Sequence, residues 1–323
     1  MYTIGVDLGG TNIAAGIVDS NMKIVRKGSV PTLPKRGGDA VMADMAELCR
    51  TLVREAGLTM EDIESVGIAS PGTILYDEGM VERSDNLGFY RFPIADKLRA
   101  LLPGMTVYLE NDANAAAWAE AVSGAARGTR DSVMITLGTG LGGGIVLGRK
   151  IYAGHNGAAA ELGHVLVKKG GRLCNCGRRG CFEAYCSAPG LIRSTEEMME
   201  ECRRLKIDTL MTEEAEKFGK VNGRVAFNAA KRGDPYARRV VQEYKDFLAD
   251  GIIDLINICQ PEVLSIGGGV SGEGDNLVSP DFLEKIEREQ FTRDAEHKTI
   301  IRVAELGNDA GIIGAAMLGA ANQ

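Results

Sequence analysis

Tyr2-Thr3-Ile4-Gly5-Val6-Asp7-Leu8-Gly9-Gly10-Thr11-Asn12-Ile13-Ala14-Ala15-Gly16-Ile17-Val18 holds two apolar runs, 2–8 and 13–18, joined by a short glycine turn. Two strands around so short a turn read as a β-hairpin. The same pattern returns at Val133–Gly144: apolar Val133 to Leu137, the glycine turn Gly138-Thr139-Gly140-Leu141-Gly142-Gly143-Gly144, then apolar Ile145-Val146-Leu147. Strand, glycine turn, strand, repeated one domain later, reads as an internal duplication. A third cluster, Gly267-Gly268-Gly269, follows the apolar run Val263–Ile266.

Such turns let backbone N–H groups approach an anion without side-chain obstruction. Residues 138–143 also match G-x-G-x-x-G, but the dinucleotide fingerprint requires a helix after the third glycine. A β-like run follows here, so that reading is rejected. Paired glycine hairpins suit a nucleoside triphosphate. Asp7, at the end of a buried strand beside the first turn, suits Mg²⁺ held directly or through water, and Thr11 offers a hydroxyl to a phosphate.

Between the hairpins, 39–56 has helical spacing, with Val41, Met45, Leu48, Leu52 and Val53 on one face. Ser65–Ala69 and Val107–Leu109 read as strands. An alanine-rich helix over 113–122 follows Glu110-Asn111-Asp112. Asn111 and Asp112 suit its N-cap. Asp112 also has the chemistry of a general base for an alcohol, and a helix N-terminus favours its ionised form. Residues 190–255 read as mostly helical, with Pro235 opening one helix, and 310–318 as a small-residue helix.

Cys174-Asn175-Cys176 and Cys181 give C-x-C-x4-C, and one of only three histidines, His164, lies just upstream. Three thiolates and an imidazole are the donor set of structural zinc. Glu161, three residues before His164, shares a helical face with it, and Glu183 follows Cys181 by two. A metal-tied loop would thus carry a carboxylate at each end, suited to sugar hydroxyls. Cys49, Cys186, Cys202 and Cys259 read as small buried residues.

The 323 residues are 45% hydrophobic and 25% charged with net charge −7. That is a globular composition of two-domain length, and it lacks the basic face of a nucleic-acid binder. No apolar stretch approaches the ~20 residues of a membrane span, and no signal peptide is seen at the N-terminus. The expectation is a cytoplasmic protein without nucleic-acid or membrane partners.

Asp7-Leu8-Gly9-Gly10-Thr11, Glu110-Asn111-Asp112-Ala113-Asn114, Leu137 to Gly144, Glu161-Leu162-Gly163-His164 and Cys174 through Glu183 together resemble the ROK family of repressors and sugar kinases, and most of all its glucokinase branch. The resemblance implies an α/β, actin-like (ribonuclease H-like) ATPase fold, with two α/β domains around a cleft. They are expected as a small domain 1–110, completed by the C-terminal helix 310–323, and a larger domain 111–309 with the zinc-bound loop. It implies ATP, Mg²⁺ and structural Zn²⁺. Asp7, Gly9, Gly10, Thr11 and Asn12 would form the first phosphate loop and Thr139 and Gly140 the second, with Gly268 and Gly269 against the adenosine. Gly72, Asn111, Asp112, Glu161, His164 and Glu183 would bind a hexose, glucose first, with Asp112 deprotonating its 6-hydroxyl. His164 would touch both sugar and zinc, the metal being held by His164, Cys174, Cys176 and Cys181. A homodimer or homotetramer is implied. Fructokinases and N-acetylmannosamine or N-acetylglucosamine kinases share nearly all of this pattern. The repressors carry a DNA-binding segment ahead of the first strand; here that strand begins at once, so a non-catalytic sugar sensor is the lesser expectation.

Overall fold

The protein is described over residues 1–321 by a computed structural model. Strands β1 (Tyr2–Leu8), β2 (Asn12–Val18) and β3 (Ile24–Pro31) lead to helix α1 (Gly38–Glu55). Strand β4 (Ile63–Ser70) is followed by the short strands β5 (Thr73–Leu75), β6 (Met80–Ser84) and β7 (Phe89–Phe92), then α2 (Ile94–Leu101), β8 (Thr106–Asn111) and α3 (Asp112–Ser123). Next come β9 (Ser132–Leu137), β10 (Leu141–Leu147) and β11 (Lys150–Ile151), and five helices: α4 (Glu183–Cys186), α5 (Ala188–Leu205), α6 (Leu210–Phe218), α7 (Val225–Lys231) and α8 (Pro235–Cys259). The chain continues through β12 (Val263–Gly267), α9 (Pro280–Glu289), β13 (Ile300–Val303), α10 (Ala310–Ala316) and α11 (Leu318–Ala321).

Two five-stranded sheets run β3-β2-β1-β4-β8 and β11-β10-β9-β12-β13. Numbered within each half, both have the order third, second, first, fourth, fifth. The duplication read from the glycine hairpins is therefore a duplication of whole sheets. β5-β6-β7 form a small third sheet. In the first sheet β1, β4 and β8 are parallel, and their register sets Asp7 beside Ala69, and Ser70 beside Asn111. The carboxyl ends of parallel strands are where α/β sheets present ligand-binding groups.

By density of contacts the chain forms two compact units. One contains Met1–Met134, Gly144–Ala160 and Glu305–Gln323; the other contains Ile135–Gly143 and Glu161–Ala304. These bounds depart from the expected break after residue 110, because α3 packs on α10 and α10 lies on β1 and β4. Both helices therefore belong with the first sheet. Of the expected terminal helix 310–323, residues 322–323 lie outside the described residues.

In the first unit α10 sits directly on backbone. A Cβ at Gly5 would stand 1.8 Å from the Ile312 carbonyl oxygen, one at Gly67 1.8 Å from that of Ala315, and one at Gly314 1.8 Å from that of Ala115. Only glycine allows so close an approach. Buried Glu120 on α3 secures the segment entering α10: Oε1 accepts the Leu306 N–H at 2.9 Å, and Oε2 accepts those of Ala125 at 2.7 Å and Glu305 at 3.2 Å. The second unit buries Phe182 from the loop before α4, Phe227 from α7, and Tyr244 and Leu248 from α8. Among the described residues no helix is long and apolar enough to cross a membrane.

One local expectation is corrected. Gly142–Gly144 belong to strand β10, not to the turn. A Cβ at Gly144 would stand 2.5 Å from the Ala117 Cβ and 2.9 Å from the Ala113 carbonyl oxygen. Gly144 thus serves close packing of α3, and the turn itself is confined to Gly138-Thr139-Gly140.

Candidate active site

In the first unit the glycine turn closes with the Gly9 N–H donating to the Asn12 carbonyl at 2.9 Å. It is braced by Thr32, whose hydroxyl donates to the Gly9 carbonyl at 2.6 Å and whose N–H donates to that of Thr11. Thr11 and Asn12 are exposed, and Gly9 and Gly10 half-buried. Asp7 ends β1 just before this turn, and the first residues of α10 press against it: a Cβ at Gly311 would stand 2.6 Å from Asp7 Oδ2.

The N-cap of α3 is Asn111. Its Oδ1 accepts the N–H groups of Ala113 at 2.9 Å and Asn114 at 3.2 Å, while its Nδ2 donates to the Gly72 carbonyl at 3.2 Å. Gly72, at φ +108°, lies where a Cβ would stand 2.2 Å from the Arg83 carbonyl oxygen. Asp112 Oδ1 also accepts the Ala113 N–H, at 2.9 Å, which it shares with Asn111 Oδ1. Burial raises the Asp112 carboxyl above its ordinary range, outweighing the hydrogen bonds it accepts from the Ala113 N–H, its own N–H and the Asn111 side chain. The net effect opposes the shift expected from a helix N-terminus. Burial also pushes the Asp7 carboxyl up to about 6, with the Asp112 charge adding to it. Two carboxylates that disfavour each other's charge, one beside a glycine turn, form an oxygen-donor set that fits a hard divalent cation.

Glu110 had no role assigned from sequence. It is buried and accepts from the Tyr76 hydroxyl, from the Asn111 N–H at 2.8 Å and from Asn114 Nδ2 at 3.1 Å. It therefore seats the two residues that follow it. Its place in the run Glu110-Asn111-Asp112 was the available signal, but the bonding to Tyr76 depends on a loop 34 residues away.

In the second unit Thr139 and Gly140 form the tip of the β9–β10 turn, closed by the Gly138 N–H on the Gly140 carbonyl at 3.0 Å. Gly268, at φ +84°, abuts Leu137: a Cβ would stand 2.5 Å from the Leu137 nitrogen. The third glycine cluster thus lies against the base of the second turn, with Gly269 facing open space. A cavity of about 120 Å³ beside Thr139 is also lined by Cys174, Glu183, Ser187, Gly190 and Arg193. Arg193 was not singled out from sequence; it is one of several helix arginines, and only folding sets it beside Thr139.

Glu161 and His164 bracket a single 3-10 turn, Leu162–His164, with Glu161 Oε2 3.9 Å from His164 Nε2. The opposite ring nitrogen, Nδ1, lies 3.7 Å from Cys174 Sγ, and Cys176 Sγ is 3.7 Å from Cys181 Sγ. One donor atom from each of the four lies within 4.8 Å of the others. A tetrahedron with ~2.3 Å zinc–sulfur bonds has edges of about 3.8 Å, so the four residues fit zinc. His164 would then present Nδ1 to the metal and Nε2 to the Glu161 side.

The sequence profile of the ROK family matches residues 3–322. A glucokinase of Halalkalibacterium halodurans is 36% identical over 98% of this chain and 94% of its own. A ROK family glucokinase from Streptomyces griseus, solved in complex with glucose and AMPPNP, is 34% identical with a TM-score of 0.79, covering 98% of this chain and 99% of that one. An N-acetylmannosamine kinase of Salmonella typhimurium is 31% identical over 98% of each chain. A match that runs from β1 to the terminal helices, through both glycine hairpins and the four-residue donor set, makes this chain a member of the ROK family.

Proposed function

We propose that the chain is an ATP-dependent hexose kinase that converts D-glucose and ATP to glucose 6-phosphate and ADP. The observation that carries this reading is the division of labour at the start of α3. Asn111 caps the helix, so Asp112 remains as a buried carboxylate of raised basicity near Asp7 and the first glycine turn.

Phosphoryl transfer to an alcohol calls for a group that takes the hydroxyl proton and for donors that receive the phosphoryl charge. Asp112 accepts the proton of the sugar's 6-hydroxyl as that oxygen bonds to the terminal phosphorus. The bond from this phosphorus to the bridging oxygen breaks, and ADP leaves. Backbone N–H groups of Gly10, Thr11 and Asn12, and of Thr139 and Gly140, receive phosphate oxygens, while Gly9, its own N–H closing the turn on Asn12, gives the phosphate room; Gly268 and Gly269 offer a face without side chains to the adenosine. Gly72, Asn111, Glu161, His164 and Glu183 bond sugar hydroxyls. Asp7 would hold Mg²⁺, directly or through water, and the ion would supply positive charge to the phosphate oxygens. His164, Cys174, Cys176 and Cys181 would hold zinc, which would close the loop between Glu161 and Glu183; that loop supplies three of the sugar's partners.

A second reading, an N-acetylmannosamine kinase, is favoured by the 31% identity to the Salmonella typhimurium protein. A coupled ADP-release assay over glucose, mannose, fructose, allose and N-acetylmannosamine separates the two. Glucose is expected to give the highest kcat/KM. Preference for the N-acylated sugar selects the second reading, and ADP release from none of the sugars refutes both.

A further inference from the structure

The turn at Thr139-Gly140 is gripped by the segment that carries the sugar and metal residues. Glu183, the first residue of α4, aims its carboxylate at this turn: Oε2 accepts the Leu141 N–H at 3.0 Å. The same oxygen lies 2.6 Å from where a Gly140 Cβ would be. Gly163, between Glu161 and His164, meets the next peptide, since a Cβ there would stand 2.1 Å from the Leu141 carbonyl oxygen. On the other side of the turn the Ala188 N–H, at the start of α5, donates to the Gly138 carbonyl at 2.9 Å. The remaining Glu183 oxygen, Oε1, is 3.5 Å from Cys174 Sγ. One carboxylate therefore touches both the glycine turn and the metal-binding cysteines.

We infer that Glu183 is a positioning residue for the nucleotide as well as a sugar partner. By holding the Leu141 N–H it sets the Thr139 and Gly140 peptides for phosphate whether or not sugar is present. This rests on the proposal above that those peptides take the triphosphate. Gly163 is the second half of the grip: its missing side chain lets the Glu161–His164 turn sit flush on Leu141. A sugar arriving at His164 and Glu183 meets groups already in contact with the nucleotide turn, so each substrate alters the other's affinity by the same factor.

The test is binding of a fluorescent N-methylanthraniloyl-ADP in the absence of any sugar, with zinc content and thermal melting measured alongside. Glu183→Ala is expected to bind the probe about tenfold more weakly, the effect of removing one charged acceptor from a partly buried N–H. Glu183→Gln keeps an acceptor for the Leu141 N–H, so nucleotide affinity returns to within about threefold of the parent while glucose affinity stays impaired. Equal probe binding by the parent and both variants overturns the inference and leaves Glu183 a sugar partner only. If Glu183→Ala loses zinc or fails to fold, Gly163→Ala decides. It leaves every proposed ligand side chain in place and presses a methyl group onto the Leu141 carbonyl, so weakened probe binding supports the inference and unchanged binding overturns it. A parent chain that binds no nucleotide at all overturns the phosphate-turn reading, and this inference with it.

Discussion

Replacing Asp7 by asparagine should stabilise the free protein, and by an amount that depends on pH. In the folded chain burial, with a contribution from Asp112, raises the Asp7 carboxyl from 3.8 to about 6. Each pKa unit corresponds to about 1.4 kcal/mol, so the charged side chain costs the native state about 3 kcal/mol at neutral pH. Below pH 4 the carboxyl is protonated in both states and the cost vanishes. From pH 4 to 6 the unfolded chain has lost its proton and the native chain keeps it, so stability falls as pH rises; above about pH 6 the cost is complete. Asparagine preserves the shape without the charge. The gap in unfolding free energy between Asp7→Asn and the parent, from urea titrations without Mg²⁺ or nucleotide, should widen by about 1.4 kcal/mol from pH 5 to pH 8. Titrating groups distant from Asp7 cancel in the difference, and Asp112, freed of a neighbouring charge in the variant, widens the gap in the same direction. Added Mg²⁺ and nucleotide should recover stability in the parent and little in the variant. A gap independent of pH, or a less stable variant at pH 8, would refute the electrostatic reasoning.

Other expectations follow from particular contacts. Gly67→Ala places a methyl group 1.8 Å from the Ala315 carbonyl oxygen, so α10 must shift and stability should fall by about 3 kcal/mol or more in urea unfolding. Glu120→Ala removes the acceptor of three N–H groups, one buried and two partly buried, and should cost about 3 kcal/mol; calorimetric melting checks it. Cys176→Ala, or zinc removal by a chelator, should loosen the loop from Glu161 to Glu183. The apparent glucose constant would rise and the melting temperature fall together, whereas a zinc-free protein with an unchanged glucose constant contradicts the role given to the loop.

What sequence reasoning recovered is what local chemistry specifies. The hairpin at 2–18 and its return at 133–147 rest on glycines between apolar runs, and both strand pairs are present, the second with β10 starting at Leu141. The grouping of His164, Cys174, Cys176 and Cys181 and the Glu161–His164 turn follow from spacings of ten residues or fewer. What was not legible depends on neighbours distant in sequence. Gly144 looks like a turn residue until Ala113 and Ala117 of α3 are seen against it. The strands β5, β6 and β7 are too short for periodicity to register. The basicity of Asp112 was expected from the helix end and is instead governed by burial, which no local pattern encodes. Glu183 was legible as a carboxylate near the cysteines, but its bond to Leu141 spans 42 residues. Arg193 reaches the cavity beside Thr139 only through the packing of α5.

The most direct test is Asp112→Asn, measured for turnover by coupled ADP release and for glucose affinity by titration calorimetry. A carboxylate acting as base predicts a fall in kcat of about a thousandfold or more, with the glucose dissociation constant within a few-fold of the parent. A variant that retains more than a tenth of the parent's kcat would contradict the assignment of Asp112 as the base.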